Sequence, residues 1–209
     1  MSNYCPQPSH PAPAAGVLVL HAWWGLTPFF RSFCDRLAAE DFRVLAPDLY
    51  NGATASTIPQ AEKLRSTLKR QQVLAQIQVS AAELRALAGS EQIGLVGFSL
   101  GAYYGMWLAD IDPSIAALVA FYGIRQGEYT ACRAAFQFHL AHPDPYVSDS
   151  GGKSLEKSLK AAARPAEFFH YPDTGHWFFE SDQPAYHPAF AQAAWTRAVY
   201  FLKRNLTVK

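Results

Sequence analysis

The sequence predicts an α/β architecture, a mostly parallel sheet with helices on both faces, and three observations predict it. First, short continuous apolar runs such as Gly16-Val-Leu-Val-Leu20, Ile93-Gly-Leu-Val-Gly97 and Ile115 to Phe121 lack polar alternation. Strands buried on both faces read this way. Second, segments with apolar residues three and four apart separate these runs, and alternation of strand and helix is the order a parallel sheet requires. Third, the chain has 209 residues, half of them hydrophobic and 17% charged. That is enough for one domain with its own core and too apolar for disorder.

Residues 1–15 carry Pro6, Pro8, Pro11 and Pro13 and read as an extended arm ahead of a single domain over 16–209. The arm has no apolar centre, so no signal peptide is expected. After the strand at 16–20, Phe29, Phe30, Phe33, Leu37 and Ala38 mark a helix over 29–41. Arg43-Val-Leu-Ala46 is a strand stopped by Pro47-Asp48, and Asn51 to Pro59 has loop composition. Leu64, Leu68, Leu74, Ile77, Ala81, Leu84 and Ala88 predict one long helix that ends at Gly89-Ser90. The strand at 93–97 leads into a small-residue helix from Ser99 to about Asp110. Strands follow at 115–121, 135–140 and 166–170, with helices at 153–162 and 189–205, the last turning Phe190, Ala194, Val199 and Leu202 inward.

Charge and cysteine usage exclude several function classes. Eighteen basic against 17 acidic residues give a net charge of +1, and no basic block exceeds Lys69-Arg70 or Lys203-Arg204 in length. A phosphate-tracking nucleic-acid surface is not expected. No apolar run approaches the roughly 20 residues of a membrane span. Cys5, Cys34 and Cys132 are odd in number and form no Cys-x-x-Cys pair, which disfavours a disulfide framework or a thiolate zinc site. A reducing, cytoplasmic setting fits.

Chemistry concentrates at Gly97-Phe98-Ser99-Leu100-Gly101. Gly-x-Ser-x-Gly alone is weak, since at ordinary abundances roughly one chain in fifteen of this length carries it by chance. Here a buried strand runs into the motif and a helix starts directly after it. The glycines allow a turn too sharp for side chains, and the turn lifts the Ser99 hydroxyl to a helix N-terminus. The phosphate-binding alternatives lack their Gly-Lys-Ser/Thr or Gly-x-Gly-x-x-Gly signatures.

A serine hydroxyl needs a base that is partly unprotonated near pH 7, which points to histidine. In such an arrangement the histidine follows the last strand, where Asp173-Thr-Gly-His176 lies, so His176 is the expected base; His170 and His187 read as structural. The orienting carboxylate belongs after strand 135–140. Asp144 fits best, with Asp149 and Asp173 as rivals. The oxyanion of the transition state needs two N–H donors, expected from Leu100 after the serine and from Trp23 in the loop His21-Ala-Trp-Trp-Gly25, which His21 shapes.

The chain resembles the dienelactone hydrolase family, within the α/β-hydrolase fold, over nearly all of Gly16 to Leu206. The matching stretches are Leu20-His-Ala-Trp-Trp-Gly-Leu26, Ala46-Pro-Asp-Leu-Tyr50, Gly97-Phe-Ser-Leu-Gly-Ala102, Phe121-Tyr-Gly123, Pro143-Asp-Pro-Tyr-Val147, Tyr171-Pro-Asp-Thr-Gly-His176 and Ala194-Trp-Thr-Arg197. The resemblance implies a nucleophile–His–Asp triad, hydrolysis of esters or lactones, and no cofactor. The name-giving enzymes use cysteine where this chain has Ser99, and a thiol-tuning glutamate where it has Ala22. The two departures go together, because a serine has no thiolate to tune. Only Gly123 to Arg133 separates strands 115–121 and 135–140, so a helix usual there is shortened or lost, and no segment is long enough for a lid domain.

The expected substrate is a small ester or lactone, the expected state a monomer or homodimer. Trp24, Trp177 and Phe178 are expected to line the pocket with Trp23 and keep it small. The family's lactone is an anion held by arginines, but Trp177, Phe178, Phe179 and Glu180, with no arginine among them, follow His176 directly. Short, uncharged substrates are therefore expected, unless Lys63, Arg65, Lys69 and Arg70 fold over the site as a cationic clamp. His139-x-x-His142-x-Asp144 mimics a metal cluster, but alternate strand positions point apart and no metal is expected. A silent hydrolase-fold binding module and a thioesterase or acyl transferase with the same triad are the alternatives.

Overall fold

The computed structural model describes residues 3–6 and 14–206. Among them the chain builds β1 (Asn3–Tyr4), β2 (Gly16–Leu20), α1 (Pro28–Ala39), β3 (Arg43–Pro47), α2 (Ile58–Thr67), α3 (Arg70–Ala88) and β4 (Ile93–Phe98). It continues with α4 (Leu100–Ile111), β5 (Ile115–Phe121), β6 (Ala135–His142), α5 (Asp149–Ala161), β7 (Ala166–Pro172) and α6 (Pro188–Asn205). The strands form one sheet in the order β1-β3-β2-β4-β5-β6-β7. All neighbours are parallel except β1, whose Asn3 and Tyr4 pair antiparallel with Pro47 and Ala46 of β3.

Alternation along the strands divides the core between two faces. In β2, Val17 and Val19 face α1 and α6, joining Phe30, Phe33 and Leu37 of one helix and Trp195, Phe201 and Leu202 of the other. Leu18 and Leu20 face the opposite way, with Ile77, Ala81 and Leu84 of α3 and Leu155 and Leu159 of α5. Both faces being covered explains the unbroken apolar runs. The chain leaves β2 for β3 on one side and returns to β4 on the other, so Leu20 of β2 lies opposite Gly97 of β4. The loops after these strands diverge and open a crevice at their carboxyl ends, where open α/β sheets bind ligands.

The structure departs from the sequence reading in a few places. The long helix predicted over 64–88 is two, broken at Leu68, whose ψ of 127° is extended. Ser66 and Thr67 turn their hydroxyls back onto the carbonyls of Lys63 and Leu64, which gives the backbone an alternative to continuing the helix. Leu68 then packs toward the α3–α4 side of the core instead of extending a stripe. α2 also starts inside the segment read as loop, with Pro59 in its first turn, where a missing N–H costs nothing. α5 begins at Asp149, capped by Ser148, whose Oγ accepts from the Gly151 N–H at 3.2 Å. The two-residue β1 was not anticipated; its neighbours 7–13 of the Pro-rich arm lie outside the described residues. Gly123 to Ala134 crosses from β5 to β6 without a helix, as expected. No helix among the described residues is long and apolar enough to cross a membrane.

Candidate active site

β4 delivers Ser99 into the crevice through a turn that needs glycine at 97 and 101. Ser99 has φ 49° and ψ −106°, left-handed backbone that a side chain rarely adopts. A Cβ on Gly97 would stand 2.6 Å from the backbone of Ala102, and one on Gly101 would overlap the Leu20 carbonyl oxygen. The turn is anchored by the Ser99 N–H donating to the Phe121 carbonyl at 2.9 Å.

Three strand ends bring the polar side chains together. Ser99 Oγ lies 2.8 Å from Nε2 of His176, which sits on the turn after β7. His176 Nδ1 lies 2.7 and 2.9 Å from the two carboxylate oxygens of Asp144, just beyond β6. Asp144 is held in turn, since its Oδ1 accepts from the Tyr146 and Val147 N–H groups at 2.8 and 3.2 Å. With Nδ1–H donated to a carboxylate, Nε2 is left to accept the Ser99 hydroxyl proton. The His176 and Asp144 side chains are only 3% and 1% exposed.

The rival carboxylates are elsewhere. Asp149 opens α5 and pairs with the exposed His142 at 3.4 Å. Asp173 is an exposed turn residue with φ 55°. None of the other histidines among the described residues is hydrogen-bonded to Ser99. His21 is buried, with Nδ1 2.6 Å from the Ala22 carbonyl and Nε2 accepting from the Leu49 N–H at 3.1 Å, so it shapes the loop after β2. His139 is flanked by the Tyr171 hydroxyl and the Gln137 amide oxygen, and burial pushes it down to about 3. His187 caps α6, and His170 is exposed on β7.

Ser99 and His176 open onto a cleft of about 520 Å³. Trp23 and Leu100 line it as well. Leu100 opens α4, so its N–H belongs to the helix's first turn, whose amides have no intrahelical acceptor. The three aromatics expected in the lining are not in it. Trp24 is buried 5.5 Å from Trp23, and Phe178 is buried against Tyr122 and Tyr171. Trp177 stacks on Trp23 at 6.0 Å. They form a wall behind the lining instead. The cleft wall also includes Arg65, Leu68 and Arg70 at the α2–α3 break and Tyr103 and Tyr104 of α4. Two of the four cations of the 51–70 segment therefore reach the site. Tyr146, half-exposed 4.7 Å from the His176 ring, also borders it; only its place in the Pro143 to Val147 motif signalled it.

Glu180 is fully buried and absent from the lining, and burial raises it to about 8. Burial thus disfavours its charged form and keeps it out of the cleft, which weakens the repulsion of anions expected from its position in the sequence.

A mostly parallel sheet with helices on both faces, an elbow after β4 and a histidine after the last strand define an α/β-hydrolase fold. The chain belongs to the dienelactone hydrolase family, whose sequence pattern matches residues 1–206. It is 31% identical to the usf protein of Aquifex pyrophilus, over 92% of this chain and 89% of that one. It is 25% identical to a Bradyrhizobium protein provisionally named 2-oxo-3-(5-oxofuran-2-ylidene)propanoate lactonase, over 92% and 85%. The crystal structure of a provisional dienelactone hydrolase from Klebsiella pneumoniae superposes with a TM-score of 0.85 at 25% identity, covering 96% of this chain and 91% of its own.

Proposed function

We propose that this member of a hydrolase family is a serine hydrolase that opens small esters or lactones bearing a carboxylate, through an acyl-enzyme. The observation that carries the reading is the buried relay Ser99 Oγ to His176 Nε2 at 2.8 Å and His176 Nδ1 to Asp144 at 2.7 Å, open to a cleft at one end. Ser99 Oγ attacks the acyl carbon while His176 Nε2 takes its proton. The Trp23 and Leu100 N–H groups receive the oxyanion. His176 then gives the proton to the departing alkoxide, and Asp144 holds the imidazole in the tautomer that permits both transfers. Water, deprotonated by His176, attacks the acyl-enzyme and releases the acid and Ser99. Ala22, where cysteine-dependent relatives carry a glutamate, suits a hydroxyl nucleophile.

Arg65 and Arg70 favour an anion, with Tyr103 and Tyr104 beside them to donate hydrogen bonds. This replaces the expectation of uncharged substrates. The Bradyrhizobium relative's name also specifies a propanoate lactone. A silent binding module gives no reason for a relay so fully assembled. The test is fluorophosphonate labelling with mass-spectrometric site mapping, followed by kcat/KM for an acetate ester and for a carboxylate-bearing lactone. Label on Ser99 and a preference for the anionic lactone support the reading; an unlabelled Ser99 removes it.

A further inference from the structure

Tyr122 and Glu180 lie outside the relay, yet they join its two halves. Tyr122 follows β5 directly, with φ 36°, so a non-glycine side chain is held in left-handed backbone. Its N–H donates to the His139 carbonyl at 2.8 Å. On one side it adjoins the nucleophile. The preceding carbonyl, that of Phe121, accepts the Ser99 N–H, and a Cβ on the following Gly123 would stand 2.6 Å from the Ser99 carbonyl oxygen. On the other side it meets the base, with its ring 5.0 Å from the His176 imidazole. Its hydroxyl donates to Glu180 Oε1 at 2.6 Å. Glu180 sits four residues after His176 and closes the same turn, its N–H donating to the Trp177 carbonyl at 3.0 Å. Both side chains are fully buried.

We infer that the Tyr122–Glu180 hydrogen bond is a brace that ties the β5 end beside Ser99 to the turn bearing His176, and so keeps the two reacting groups in register. Both are positioning residues, and the inference rests on the proposed serine mechanism. The surroundings suit a neutral brace. Burial and the nearby Asp182 raise Glu180 to about 8, and Asp182 is itself raised by burial. The acid thus accepts from Tyr122 in surroundings that disfavour a full charge on it. Burying a carboxyl without a cation is costly, and a hydrophobic residue would fill the space more cheaply if filling were the only task.

The test uses the whole protein with p-nitrophenyl acetate, and follows the rate of fluorophosphonate labelling of Ser99. Tyr122→Phe removes only the hydroxyl, and Glu180→Met removes the acceptor. Each single change leaves a buried polar group unpaired and lowers stability, but removing both partners together is close to neutral. The double variant therefore folds and separates positioning from stability. All three are expected to lose about tenfold in kcat with KM within about twofold, the signature of an interaction realised in the transition state. Glu180→Gln, whose amide oxygen still accepts, is expected to retain most of kcat. A double variant with wild-type kcat and labelling rate overturns the brace, as does a loss carried by KM alone or an equal loss in Glu180→Gln. Failure of the wild type to label at Ser99 overturns the underlying mechanism instead, so the two failures are distinguishable.

Discussion

The two walls of the cleft are built by different means. On one, Ser99, His176 and Asp144 stand at the ends of β4, β7 and β6, nearly buried and joined by hydrogen bonds no longer than 2.9 Å. On the other, Arg65 and Arg70 are exposed at the break between α2 and α3. The first wall is rigid because parallel strands set the spacing of their ends. The second holds charge in water, where attraction is weakened by solvent and salt. On the proposed reading, chemistry is lodged where hydrogen bonds fix the geometry, and recognition where side chains are exposed.

Breaking the stiff wall has the largest effects. Ser99→Ala is expected to lower kcat by about 10⁵–10⁶-fold, the scale of losing a nucleophile that acts within a unit, with an unchanged melting temperature as the check on folding. Asp144→Asn is expected to cost about 10³–10⁴-fold, because an amide favours the wrong His176 tautomer. Asp149→Asn, on the exposed face of α5, is expected to leave steady-state kinetics within about twofold, as surface changes do. A severe effect of Asp149→Asn in such an assay would assign the acid wrongly.

The exposed wall answers more gently. Arg65→Gln or Arg70→Gln is expected to raise KM for an anionic lactone by about three- to tenfold, as for charge-assisted hydrogen bonds near solvent. KM for an acetate ester should barely move. Titrating sodium chloride should shrink the difference between the two substrates. Equal effects on both substrates would mean that the arginines only shape the cleft.

Glu180 sharpens the comparison through stability. Its folded value of about 8 lies above the ordinary 4.5, so the folded state holds a proton that the unfolded chain releases between those values. Stability from this group is full below about 4.5 and is lost as pH rises through 8. Glu180→Gln is therefore expected to flatten the decline in melting temperature between pH 5 and 8. The smallest effect concerns thiols. Cys34 and Cys132 are buried and raised by that burial, and Cys5 is remote on the arm. Iodoacetamide is expected to leave turnover unchanged; rapid inactivation with protection by substrate would contradict a serine nucleophile.

Local sequence determined the elements and the relay. Apolar runs placed β2, β4 and β5, because strands buried on both faces admit no polar alternation. The elbow was legible because a turn this tight requires glycine at 97 and 101, and His176 and Asp144 followed from chain order along a parallel sheet. What surrounds the relay was decided by tertiary packing. Whether Trp24 and Phe178 face the cleft or the wall behind it depends on how neighbouring loops stack, which carries no period in the sequence. Whether Arg65 and Arg70 reach Ser99 depends on a helix break at Leu68, where the hydrophobic spacing continues but the hydroxyls of Ser66 and Thr67 turn back onto the backbone. Glu180 read as a negative charge close to the site, and only its burial against Tyr122 raised its pKa, because ionisation is set by the solvent and partners that folding supplies.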